Sequence, residues 1–208
     1  MDKQKMWEYI ENTLEIEASS ISDLIKSISL DAVTDAVRII GDCGGRILVS
    51  GCGTSAAAAK KIAHSLCCIE RPACYINPSD AVHGGLGLLQ KGDVLILISK
   101  GGNTIEIINM IPACKTKGAT LIGVTENPDS VLGRESDLLL QVKVKREPCP
   151  FNMLATASTM AVVAVFDAIC IALMHYTGYT KEQFAVIHPG GAVGEKLINK
   201  KDSQEMRG

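Results

Sequence analysis

Residues 46–56 read Arg-Ile-Leu-Val-Ser-Gly-Cys-Gly-Thr-Ser-Ala (RILVSGCGTSA). A short, wholly apolar run meets a glycine-punctuated turn, and an Ala-rich helical stretch over residues 54–68 follows at once. An apolar run of this length fits a strand covered on both faces. Residues 93–104, Asp-Val-Leu-Ile-Leu-Ile-Ser-Lys-Gly-Gly-Asn-Thr, repeat the arrangement: apolar run, glycine turn, helix start. Between and beyond them, residues 73–77 (ACYIN), 120–125 (TLIGVT) and 138–144 (LLLQVKV) read as further strands, and residues 104–117 as a helix. Residues 5–29 and 31–41 carry apolar positions at three- and four-residue spacing and read as two helices ahead of the first strand. Five strands alternating with helices predict an α/β fold, a three-layer αβα sandwich around a five-stranded parallel sheet. One domain over residues 1–200 is expected, with 201–208 a polar, frayed tail.

Composition narrows the function classes. The 208 residues are 47% hydrophobic, which excludes global disorder. Lys+Arg number 21 against 23 Asp+Glu, a balance that argues against a nucleic-acid partner. Aromatic residues make up only 4%, so a sugar would be held mainly by hydrogen bonds and charge. The 8 cysteines form no C-x-x-C pair and read as reduced thiols rather than a disulfide or metal framework. Residues 1–17 are charged throughout, which predicts no secretory leader and a cytoplasmic protein. Residues 155–174 are apolar enough to raise the question of a membrane span. Thr156, Ser158, Thr159 and Asp167 within them favour a buried helix instead, one of whose neighbours is expected to be another subunit.

In doubly wound sheets ligands bind outside the carboxyl ends of the strands. That places the chemistry at residues 51–55, 99–104, 125–130 and after Val144. In the first loop Gly53, Thr54 and Ser55 combine close backbone approach with hydroxyls at a helix start, a pattern suited to an anion. The same residues match a variant of the dinucleotide fingerprint, but the second strand ends in Asn77-Pro78-Ser79 and lacks the acidic residue that would hold a ribose. The second loop supplies Ser99, Lys100, Gly101 and Thr104, hydroxyls and glycine now joined by a cation. Two anion-cradling loops at neighbouring strand ends suit one compact phosphorylated ligand. Candidate acids and bases are Glu106 in the first turn of the following helix, Glu147 in a proline-stiffened segment, His188 and His83. His64 and His175 lie inside helical patterns and read as structural. No spacing of His and carboxylates predicts a metal, and no cofactor is expected.

Residues 50–55, 79–87 (SDAVHGGLG), 98–106 (ISKGGNTIE), 148–150 and 188–197 (HPGGAVGEKL) resemble sugar isomerase (SIS) domains, most closely the SIS domain of bacterial arabinose-5-phosphate isomerases. The likeness runs over roughly the whole chain, and HPGGAVG is its most specific piece. It implies a flavodoxin-like five-stranded sheet, assembly as dimers of dimers, and interconversion of an aldose phosphate with a ketose phosphate. It also implies phosphate-binding positions at Ser55, Ser99 and Thr104, functional glutamates at Glu106 and Glu147, a functional histidine at His188 and a second at His83. Site residues are implied to come from more than one subunit.

The sequence departs from the family pattern at two places. Thr54 stands where the family has a lysine after G-x-G, and Ser99-Lys100-Gly101-Gly102 replaces the common S-N-S-G, with one hydroxyl fewer. Family enzymes often add a pair of cystathionine-β-synthase domains, and this sequence is expected to act without them. The expected function is therefore aldose–ketose isomerisation of a small phosphosugar, by a homodimer or homotetramer without nucleic acid or membrane. Lys100 would supply the charge absent at Thr54. A non-catalytic sugar-phosphate sensor and a different SIS-type isomerase or lyase are the alternatives.

Overall fold

The computed structural model describes residues 1–190. Two helices, α1 (Lys3–Ser27) and α2 (Leu30–Gly41), precede a β/α succession. It runs β1 (Ile47–Gly51), α3 (Thr54–Cys67), β2 (Ala73–Tyr75), α4 (Pro78–Ala81), a short 3-10 turn (Gly85–Leu88), β3 (Val94–Ile98), α5 (Ile105–Ile108), α6 (Ile111–Lys117), β4 (Thr120–Thr125), α7 (Val131–Glu135) and β5 (Leu138–Gln141). Helices α8 (Ala157–Thr177) and α9 (Lys181–Ile187) close the described chain. The five strands form one parallel sheet in the order β2-β1-β3-β4-β5. The expected α/β class and parallel sheet are thus found.

Alternation along the strands explains the three layers. Ile47, Val49, Val94, Ile96, Ile98, Ile122 and Val124 face a core shared with α2, α3 and α8. Leu48, Leu95, Leu97 and Leu121 face the opposite side, where Met110, Ile111 and Leu132 cover them. β1 and β3 are buried along their whole length because both faces are covered.

Three expectations are corrected in their boundaries. The single helix expected over 104–117 is two helices, since Pro112 lacks an N–H and its ring would clash one turn back; it sits instead in the first turn of α6. β5 stops at Gln141 rather than 144, because Gln141 is paired with Thr125, the last residue of β4. The apolar helix begins at Ala157 and runs to Thr177, where Gly178 at φ 66° ends it. It is long and apolar enough to cross a membrane, yet Ala161, Phe166, Ile169 and Leu173 are buried in the core between sheet and helices. Its outer residues Met160 and Ile171 stay exposed. The first half of α1 is exposed as well, with Trp7, Ile10 and Leu14 in the open. Residues 191–208, which include most of HPGGAVGEKL and the expected tail, lie outside the described residues.

Candidate active site

The strand order reverses between β1 and β3, so their carboxyl ends open a crevice at the point where doubly wound sheets take ligands. Gly51 and Ile98 are register partners, which sets the two expected loops side by side. A Cβ on Gly51 would sit 2.7 Å from the backbone of Ser55; the bare backbone lets the first turn of α3 fold over the strand end. Gly53, at φ 57°, makes the turn and has no side chain to cap α3. Thr54 and Ser55 line a cleft together with Lys100, Glu126, Ser158 and Thr159. The cleft encloses about 440 Å³, counting its open mouth.

The second loop is held rigidly. The Lys100 carbonyl accepts from Thr125 Oγ1 at 2.8 Å and from the Glu126 amide at 3.0 Å. The Gly102 carbonyl accepts from the Leu132 amide, and Asn103 Oδ1 from the Val131 amide. Ser99 Oγ lies 2.8 Å from Thr104 Oγ1 and accepts from the Gly102 amide at 3.1 Å. Thr104 is the N-cap of α5, yet its hydroxyl is turned to Ser99 and not to its own helix. Gly101 is exposed, with open space where a side chain would stand.

Glu147 is the most constrained candidate, only 1% exposed. Its Oε1 accepts from Lys100 Nζ at 2.7 Å, and its Oε2 from the amides of Thr156 at 3.0 Å and Ser158 at 3.3 Å. The carboxylate therefore caps the N-terminus of α8 from a distant loop, where Thr156 itself makes no side-chain cap. Its own amide is fixed by Asn152 Oδ1 at 2.7 Å. Burial works to raise the Glu147 pKa, but the Lys100 ammonium, the Ser158 hydroxyl and the two amides outweigh it and hold the carboxyl below its ordinary value.

The other expected residues lie apart from that pair. Glu106 is exposed in the first turn of α5, close enough to Cys52 to help burial push that thiol up. His83 is exposed just past α4, its amide donating to the Asp80 carbonyl at 3.1 Å. His188 ends α9, its ring stacked on Phe184 at 3.8 Å and its Nδ1 2.9 Å from the Phe184 carbonyl. Neither histidine lines the cleft, and neither do Glu106, Ser99, Thr104 or Glu147, which meets it through Lys100. Glu126, within the 125–130 segment expected at a strand end, does, and so do Ser158 and Thr159, which reading the sequence alone does not assign to the site. The available signal is the set of polar residues gathered at the start of an otherwise apolar helix.

The family model described as the SIS domain matches residues 39–182. The chain belongs to the SIS domain family. This SIS domain is 37% identical to arabinose 5-phosphate isomerase KdsD of Pseudomonas aeruginosa over 190 residues, covering 91% of the chain and 58% of that relative. It is 33% identical to arabinose 5-phosphate isomerase KpsF of Escherichia coli over 191 residues, with 92% and 58% covered. The chain thus spans 58% of the length of these curated relatives. Among solved structures it resembles a Listeria monocytogenes protein proposed to be a sugar-phosphate isomerase, with TM-score 0.90, 62% identity, and coverage of 91% of this chain and 100% of that one. It also resembles an Escherichia coli protein in complex with arabinose 5-phosphate, with TM-score 0.87, 30% identity, and coverage of 91% and 100%.

Proposed function

We propose that this SIS domain is an aldose–ketose isomerase of a small sugar phosphate, with arabinose 5-phosphate the first substrate to try. The observation that carries the proposal is Lys100, which lines the cleft with Thr54 and Ser55 and is paired behind it with the buried carboxylate of Glu147. The named activity of the curated relatives and the structural neighbour bound to arabinose 5-phosphate support the same reading.

Ser55, Ser99 and Thr104 hold the phosphate, with Thr54, Gly53 and Gly101 shaping the loops around it. Glu147 takes a proton from the carbon beside the carbonyl, giving an enediol, and returns it to the neighbouring carbon. Glu106 is the second carboxylate of the site. His188 and His83 open the sugar ring or move the oxygen-bound proton, since imidazole titrates near neutrality. His188 reaches the cleft from a second copy of the chain. Exposed apolar side chains on α1 (Trp7, Ile10, Leu14), on α8 (Met160, Ile171) and on the loop before α8 (Phe151, Met153) support a homodimer or homotetramer. Cytoplasmic location accords with a soluble metabolic substrate.

Incubation with arabinose 5-phosphate in deuterated water, followed by proton NMR, tests the function. Ketose phosphate carrying deuterium at carbon 1, with deuterium at carbon 2 of the aldose phosphate re-formed by reversal, is the expected result. Binding without exchange would leave a sensor, which the Thr54 substitution at the family lysine position favours. Neither binding nor exchange, across pentose and hexose phosphates, would sink the proposal.

A further inference from the structure

Four donors hold the Glu147 carboxylate: the Thr156 and Ser158 amides on Oε2, the Ser158 hydroxyl, and the Lys100 ammonium on Oε1. A carboxylate so supplied is a poor base, because each donor stabilises the anion. The two amides belong to the start of α8 and cannot leave. Lys100 differs. Its carbonyl is clamped by Thr125 and Glu126, but its side chain is 36% exposed, whereas that of Glu147 is 0%. One partner of the pair can swing into the cleft and the other is fixed.

We propose that Lys100 is a latch on Glu147 that the phosphosugar itself opens. The latch rests on the phosphosugar function proposed above. A sugar phosphate carries about −1.5 to −2 charges at neutral pH, against −1 for a carboxylate. Bound beside the first loop, it lies within reach of the flexible four-carbon stem of Lys100, which lines the cleft with Thr54 and Ser55. The ammonium transfers from Oε1 to the ligand. Glu147 stays in place on the α8 amides, now without its counter-ion in a buried setting, and its proton affinity rises. The C–H proton beside the carbonyl passes to the freed oxygen. The C–H electron pair becomes the enediol double bond. The carbonyl π pair moves onto oxygen, which takes a proton from the histidine proposed above to move the oxygen-bound proton. On reversal Glu147 returns its proton to the former carbonyl carbon while the neighbouring hydroxyl gives its proton back to that histidine. The empty site keeps its base quenched, and the loaded site releases it.

Other charges around the carboxylate leave this logic intact. Glu126, just past β4, lines the cleft and is the other carboxylate there. Lys145 is engaged with Asp23, and Arg146 is exposed. Lys100 is thus a positioning residue for the base as well as a contact for the ligand. It stands in the second loop, where the sequence departs from S-N-S-G.

The test is carbon NMR of glutamate side-chain carboxyls in the whole protein, with Glu147 assigned by the resonance missing from E147Q. Arabinose 5-phosphate is the probe, and inorganic phosphate the second. In the wild type the Glu147 midpoint is expected to rise by about one pH unit or more when the probe binds. In K100M it is expected to be raised already and to move little further. K100R, which keeps the cation, restores the low midpoint and the response. Probe binding, measured by calorimetry, with the wild-type midpoint unmoved overturns the latch and leaves the phosphosugar function standing. Failure of both probes to bind overturns that function and the latch with it. The wild-type comparison needs no variant, so instability of K100M does not blunt it.

Discussion

Ser99 Oγ and Thr104 Oγ1 face each other at 2.8 Å across the turn that follows β3, a hydroxyl pair satisfied mainly by itself and by the Gly102 amide. Each hydroxyl can rotate to donate to an anion while keeping an acceptor for its neighbour. A hydrogen bond to a charged group contributes about 1.5–3 kcal/mol. S99A and T104V are each expected to weaken arabinose 5-phosphate binding by roughly ten- to a hundredfold, with little change in the urea midpoint. Calorimetry and urea unfolding read the two effects apart. A large loss of stability with affinity unchanged would make the pair a structural tie only.

The Lys100–Glu147 pair is asymmetric, and stability should be too. Removing the ammonium in K100M strands a buried carboxylate, which costs about 3 kcal/mol or more. E147Q leaves the ammonium behind, but Lys100 is partly exposed and can hydrate; the amide oxygen can still accept from the α8 amides. K100M is therefore expected to be the less stable variant by at least about 1 kcal/mol. Urea denaturation of both at neutral pH decides it, and the opposite order would mean that Lys100 contributes little to holding the carboxylate.

Much of this is legible in the residues themselves. The buried strands announce themselves as unbroken apolar runs, and their glycine-rich ends locate the two loops at the switch point. The pairing of Lys100 with Glu147 is not legible, because the two are 47 positions apart and meet only through the strand order and the start of α8. Lys100 reads as a cation free for the ligand; in the folded chain it already has a partner. The remote capping of α8 by Glu147 is hidden for the same reason: local capping rules look to residues next to the helix, and here Thr156 makes no such bond. His188 reads as a site residue from its motif, whereas its packing on Phe184 depends on α9, a short helix set by the Thr180–Gln183 capping box.

Glu147 also sets an acid limit. Its folded pKa lies below its ordinary value of 4.5, so the unfolded chain binds the proton more readily. The contribution is fully present above that ordinary value and is lost as pH falls through the folded one. Melting temperature in the wild type is expected to drop on acidification below about pH 4.5 more steeply than in E147Q. The Lys115–Glu135 and Lys145–Asp23 pairs also hold carboxyls low, but they are exposed and add little. Parallel melting curves for wild type and E147Q would assign the acid transition to other groups.

Thiol chemistry offers an independent check on the loop that carries Glu147. The amides of Leu154 and Met153 donate to Cys149 Sγ at 3.1 and 3.2 Å and hold that thiol below its ordinary value. Burial instead pushes Cys114 up to about 12 and Cys170 up to about 11. Since the thiolate is the reactive form, iodoacetamide near neutral pH is expected to alkylate Cys149 ahead of these two by well over tenfold. Mass spectrometry of a labelling time course reads the order. Equal rates would mean that the amides of Leu154 and Met153 do not activate Cys149 and that Cys114 and Cys170 are not shielded in solution.

Gly102 tests how far the second loop can yield. It adopts φ 71°, a conformation that costs an L-residue about 1–2 kcal/mol. A Cβ there would also collide with the Ser130 side chain and come within 2.9 Å of Thr125 Oγ1. Thr125 is the residue that clamps the Lys100 carbonyl, and the Gly102 amide is the donor that orients Ser99. Gly53 also has positive φ, but open space surrounds its Cβ position. G102A is therefore expected to lose more than about 2 kcal/mol and most of its arabinose 5-phosphate affinity. G53A, strained at φ 57° and ψ −125° but free of collision, should lose about 1–3 kcal/mol while leaving the Ser99 and Thr104 hydroxyl pair in place. If G102A bound as tightly as the wild type, the loop would be compliant, and rigid placement of Ser99 and Lys100 would not be what makes the site.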